Sequence, residues 1–219
     1  MKFKGQLCVA AVLAVAQAQS YAVDINLDLT SLPSAQGWTY FSSGAAESDV
    51  FSVAGGVLSM NGTLTNAAYY KLEGIVNLTL PFTLTATARV VSGGQTLAFY
   101  IATATQFAGI NLSPTTIIDE TNGTFLASLD TTTFHNYKLE GSFTTGVNLY
   151  IDDVFITSTS SAAYPINMVA FGDSGGFGNG RAEITALSFQ QPIPEPATYM
   201  LLMCGLSALI VRFGTRRDA

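Results

Sequence analysis

Ten residues near the middle of the chain constrain its fold most. In 82–91, Phe82, Leu84, Ala86, Ala88 and Val90 alternate with Thr83, Thr85, Thr87 and Arg89. A period of two puts the first set on one face of an extended strand and the second on the other, whereas a helix would scatter both. The segment therefore predicts a sheet with one buried and one polar side. Strand chemistry recurs at 67–72, 97–102, 109–112, 116–118, 134–140, 147–151, 154–157, 167–172 and 182–189. Gly55-Gly56, Asn61-Gly62, Gly93-Gly94, Asn122-Gly123 and Gly175-Gly176 supply turn residues. Charged residues are only 11% of the chain, which argues against long surface helices with charged faces. Ten or so short strands without a convincing helix predict an all-β sandwich or barrel, and the lack of a fixed repeat argues against a solenoid or propeller.

One hairpin is legible residue by residue. Val147, Leu149 and Ile151 alternate with Asn148 and Tyr150, and Asp152-Asp153 separates them from Val154-Phe155-Ile156. A two-residue hairpin turn needs positive φ at both central positions, which Asp tolerates better than most side chains.

Both ends read as targeting segments. Lys2-Phe3-Lys4, an apolar run from Leu7 to Ala16 and the small-residue sites ending at Ala18 and Ala22 are the three parts of a secretory signal. Cleavage is expected after Ala22, which makes 1–22 the signal peptide. At the other end, Pro194-Glu195-Pro196 precedes an apolar run over about 197–211 and then Arg212, Arg216 and Arg217. The prolines isolate this run from upstream structure, and the arginines hold its far end in the cytoplasm. The two cysteines, Cys8 and Cys204, both lie in the terminal segments, so 23–191 has neither a disulfide nor a thiolate metal site. That middle stretch holds four bases against thirteen acids, a net of −9, which disfavours nucleic acid as a partner.

The tail over Ile193 to Asp218 resembles the PEP-CTERM sorting signal of exported Gram-negative proteins: a P-E-P motif, an apolar helix and a terminal Arg cluster. Such tails are also described as ice-binding protein C-terminal domains, a description of the tail alone. The resemblance implies an exosortase-type processing enzyme as a partner. It implies anchoring at the inner membrane before processing and a final place at the cell surface or in the exopolysaccharide matrix. A second resemblance lies in Phe134-His135-Asn136-Tyr137, Leu149-Tyr150-Ile151-Asp152, Val169-Ala170-Phe171-Gly172 and the closing segment 182–189. This order is similar to the last strands of concanavalin A-like, laminin-G-like jelly rolls. The expected fold is thus an antiparallel two-sheet jelly-roll sandwich over 23–191. A signal helix flanks it on one side, and the 192–219 tail with its transmembrane helix on the other.

Glycosidases of that class carry a Glu-x-Asp-x-x-Glu strand, and nothing here matches it. Asp119-Glu120 and Asp152-Asp153 are adjacent pairs, whose members face opposite sides of a strand. His135, the one histidine, has no motif that would make it a zinc ligand or a triad base. The residues define no catalytic site and no cofactor. Asp173 and Asn179, at the ends of a Gly-rich loop, are the oxygen donors that a calcium ion would take. Exposed aromatics can stack on sugar rings, and Trp38, Tyr70 and above all Tyr150 are the candidate ligand-binding residues, with Tyr40 and Tyr69 in the same group. The function expected is a non-catalytic envelope or matrix protein that binds exopolysaccharide or surface glycans. A hydrolase with an unrecognised acidic site and a coat protein without a ligand are the alternatives.

Overall fold

The computed structural model describes residues 23–62, 67–174 and 180–192. The signal peptide with its cleavage site at Ala22, Asn179, the Pro194-Glu195-Pro196 motif, Arg212, Arg216, Arg217 and the expected transmembrane helix lie outside the described residues. Among the described residues, no helix is long and apolar enough to cross a membrane.

Fifteen strands are described: β1 Val23–Asn26, β2 Thr39–Ser42, β3 Phe51–Ala54, β4 Val57–Asn61, β5 Ala68–Glu73, β6 Phe82–Ser92, β7 Leu97–Ala102, β8 Phe107–Leu112, β9 Thr116–Asp119, β10 Phe125–Ser128, β11 His135–Ser142, β12 Gly146–Ile151, β13 Val154–Thr159, β14 Met168–Asp173 and β15 Arg181–Gln191. The first sheet runs β13-β12-β11-β6-β15-β4-β3, with β1 also paired to β15. The second runs β10-β9-β8-β7-β14-β5-β2. Their pairings are antiparallel, and the chain passes repeatedly from one sheet to the other. This is an all-β sandwich, as the alternation predicts, and an antiparallel two-sheet jelly roll, as the resemblance implies. The one α-helix described is a single turn, Glu47–Val50.

The core lies between the inner faces. β6 contributes Phe82, Leu84, Ala86, Ala88 and Val90, all buried, while its threonines stay partly exposed on the far side. In β15 the buried residues are Ala182 and Ile184, then Leu187, Phe189 and Gln191, a break of one position in the alternation. The register shifts between Ile184 and Ala186; a β-bulge there inserts one residue and returns the apolar side chains to the core. Asp152 and Asp153 have φ of 49° and 64° and close the β12–β13 hairpin. Gly55 and Gly56, also at positive φ, close β3–β4. Asn61 ends β4 opposite Arg181, and the Gly62 N–H donates to the Gly180 carbonyl at 2.8 Å.

Candidate functional site

The outward faces of the two sheets differ in chemistry. On the first sheet, β6 presents Thr83, Thr85, Thr87 and Arg89, half-exposed, and Arg89 bonds to Glu183 at 2.7 Å. On the second sheet, the strands in the middle are buried on both sides. The reason is a second, smaller apolar cluster on its outer face: Ala98, Tyr100, Ala102, Met168 and Ala170, with Tyr69, Phe107 and Tyr164 packed on them.

Register lays out this outer face. One row runs Phe41, Tyr69, Gly172, Ala98 and Asn111 across β2, β5, β14, β7 and β8; the next runs Thr39, Lys71, Ala170, Tyr100 and Gly109. The central positions are Gly or Ala, so large rings lie over small residues. Phe41 and Tyr69 are 4.9 Å apart at 34°, and the ring contacts continue through Tyr100 and Phe107 to Tyr164, with centroids 5.2 to 6.5 Å apart. Gly109 is required here: a Cβ on it would lie 2.4 Å from the Tyr100 Cβ. Phe41 is 44% exposed, and Tyr69, Phe107 and Tyr164 are half-buried. Beyond Asp119 the segment around Ser160 folds back on this sheet. Asp119 accepts the Ser160 N–H at 2.7 Å, and Ala162 exchanges backbone hydrogen bonds with Phe107, which seats Tyr164 against Phe107.

A carboxyl borders the aromatic band. The Glu120 N–H donates to the Gly109 carbonyl at 3.0 Å, which places Glu120 one strand beyond Gly109 in the Tyr100 row. Asn111 Nδ2 donates to Glu120 Oε2 at 2.9 Å, and Ser174 Oγ donates to Oε1 at 2.5 Å. Burial pushes the Glu120 carboxyl above its ordinary range, and the two donors oppose that rise. Its charge in turn helps to raise the Tyr100 phenol, after burial itself and the neighbouring Tyr69 and Tyr164. Asn111 is 6% exposed, and its Oδ1 has no hydrogen-bond partner. The face thus combines ring surfaces with a carboxylate and an amide.

The expected site residues separate. Tyr150 faces outward, as its alternation predicts, but on the first sheet. Lys138 Nζ lies 4.4 Å from its ring centroid and Phe155 packs edge-on at 5.7 Å. Trp38 and Tyr70 do not serve as ligand platforms: they are 4% and 0% exposed. Trp38 packs edge-on against Phe171, and Tyr70 sits among Tyr40, Phe51 and Phe171. Tyr70 occupies the inward phase of β5, beside Ala68, and its hydroxyl donates to Glu47 at 2.6 Å. Its neighbour Tyr69 has the outward phase. Asp173 is buried at the end of β14, in the inward phase set by Phe171. Among the described residues no group of three metal-ligating side chains forms.

His135 is a clamp. Its Nδ1 lies 2.7 Å from Asp152 Oδ2, and its Nε2 lies 3.1 Å from the Asp130 carbonyl and 3.0 Å from Thr133 Oγ1. The arrangement ties the β12–β13 turn to the segment before β11. A cleft of about 340 Å³ opens on the first sheet among Ser52, Ser59, Asn61, Arg181 and Glu183; the one aromatic residue lining it, Phe51, is buried.

Neither a protein-family model nor a curated protein matches the chain. Among solved structures it is similar to SCLam, a non-specific endo-β-1,3(4)-glucanase from family GH16, with a TM-score of 0.55 and 14% identity over 79% of this chain and 92% of that one. The Crh5 transglycosylase in complex with NAG gives a TM-score of 0.52 and 9% identity, covering 79% and 85%. A protein of unknown function, SO2946 from Shewanella oneidensis MR-1, gives 0.50 and 14%, covering 84% and 94%. At these identities the likeness shows the jelly-roll fold and nothing of activity.

Proposed function

We propose that this chain is an exported, non-catalytic carbohydrate-binding protein of a Gram-negative envelope or matrix, and that the outer face of the second sheet is its glycan platform. The observation that carries this reading is the set of partly exposed rings of Phe41, Tyr69, Phe107 and Tyr164, joined by ring contacts through the buried Tyr100. Sugar rings have apolar faces and polar rims, and rings on a sheet with hydrogen-bonding groups beside them match both. Export and sorting rest on the terminal segments: the signal ending at Ala22 and the Pro194-Glu195-Pro196 tail, which an exosortase-type enzyme would process.

Binding is favoured over hydrolysis by the placement of acids. Glycoside hydrolysis uses two carboxyls about 5 to 10 Å apart across the scissile bond. Glu120 faces the band, but its neighbour Asp119 is turned inward and spends both oxygens on Thr121 and Ser160. The test is calorimetry of the protein against a panel of polysaccharides, with reducing-end release measured in parallel. Binding without product is expected; turnover would move the protein to the hydrolases, and a complete blank would leave a coat protein without a ligand.

A further inference from the structure

Resting on the glycan platform proposed above, we infer that Glu120 makes it selective by charge: the face takes uncharged glycans and rejects uronate-bearing ones. The charges on the outer face set this preference. Among the described residues, the strands of the second sheet and the residue following β9 present three outward charges, Lys71, Glu73 and Glu120. Lys71 is consumed by Glu73 at 2.5 Å, so no cation is left to receive a ligand carboxylate. Glu120 stands across the side-chain-free Gly109 from the buried Tyr100, in the row beside the one that carries Phe41 and Tyr69. Both its oxygens accept hydrogen bonds from fixed donors, Asn111 Nδ2 and Ser174 Oγ, an arrangement that suits the ionised carboxylate. Each oxygen keeps a lone pair for a sugar hydroxyl. Unpaired groups on this rim therefore accept hydrogen bonds. Hydroxyls satisfy them, whereas a uronate would place a second carboxylate beside Glu120 in a partly desolvated site, where like charges repel most.

The experiment measures affinity of the full-length protein for three neutral polymers, a β-glucan, a mannan and a galactan, and for alginate as the polyuronate. The wild type should bind at least one neutral polymer ten times more tightly than alginate. Glu120→Gln should shrink that ratio at least tenfold, while Asp49→Asn should leave the ratio within twofold. Asp49→Asn removes the same unit charge from the helical turn beside the first-sheet cleft. Raising salt from about 0.01 M to about 1 M shortens the Debye length from about 30 Å to about 3 Å, and should narrow the wild-type ratio without any substitution. Equal wild-type affinity for alginate and a neutral polymer overturns the selectivity and leaves the platform standing. So does a ratio that Glu120→Gln and Asp49→Asn change alike. A blank on every polymer overturns both.

Discussion

Tyr137 brings a hydroxyl into the core of the sandwich. It is 2% exposed, and its Oη is buried without a hydrogen-bond partner. An unpaired buried polar group costs about 1–3 kcal/mol relative to a satisfied one. Tyr137→Phe deletes that oxygen alone and should raise the unfolding free energy by about 1 kcal/mol in a urea titration; a loss of that size would show that the hydroxyl is satisfied. Glu120 predicts a pH effect. Burial raises its carboxyl from 4.5 in the folded state, so across the window from 4.5 up to the raised value the folded protein holds a proton that the unfolded chain has released. Stability contributed by this group therefore falls as pH rises through that window. Glu120→Gln removes the slope, and its melting temperature relative to the wild type should climb with pH from 4 to 7; a difference that stays flat contradicts the burial. Asp152 has the opposite sign. The Asn136 N–H and then His135 hold it below its ordinary range, so its contribution is lost as pH falls.

The β12–β13 hairpin shows what an element owes to its turn. Asp152 accepts the Asn136 N–H at 2.9 Å and faces His135, so it is held by side-chain contacts as well as by backbone geometry. Asp153 is held by backbone geometry at φ 64°, where a side chain costs energy that glycine does not pay. Asp153→Gly should be neutral or stabilise by up to about 1 kcal/mol in thermal unfolding; a large loss would give its side chain a role beyond the turn. This hairpin, β6 and β7 were legible because their alternation or apolar runs were long enough to stand alone. Five strands were not: β1, β2, β3, β4 and β10 have four or five residues each, and pairing rather than pattern holds them extended. The site was less legible still. Tyr150 was correctly read as outward, and Trp38 and Tyr70 are core: the phase of Tyr70 is set by its register with β2 and β14, and Trp38 precedes β2 outside any strand. Glu120 was visible only as half of the Asp119-Glu120 pair, since its partners Asn111 and Ser174 lie 9 and 54 residues away along the chain. Only the second sheet's pairing brings them together.

At the scale of the molecule, two sheets bury one shared core and turn different chemistries outward. The first sheet shows threonines and ion pairs, such as Arg89–Glu183 and Lys138–Glu140. The second shows rings over small residues with a carboxylate at the border. A sandwich needs only its inner faces apolar, so a second apolar cluster on one outer face is surplus to folding and is the reason for assigning function there. The most direct measurement is calorimetric affinity for a bound neutral polysaccharide in two variants, each checked for an unchanged circular dichroism spectrum. The double variant Phe41→Ala, Tyr69→Ala strips the exposed end of the band, and Tyr150→Ala strips an outward ring of the first sheet. At about 1 kcal/mol per stacked ring, the first should lose affinity tenfold or more while the second stays within twofold of the wild type. Retention of affinity by the double variant, with loss in Tyr150→Ala, would contradict the account and move the binding face to the opposite sheet.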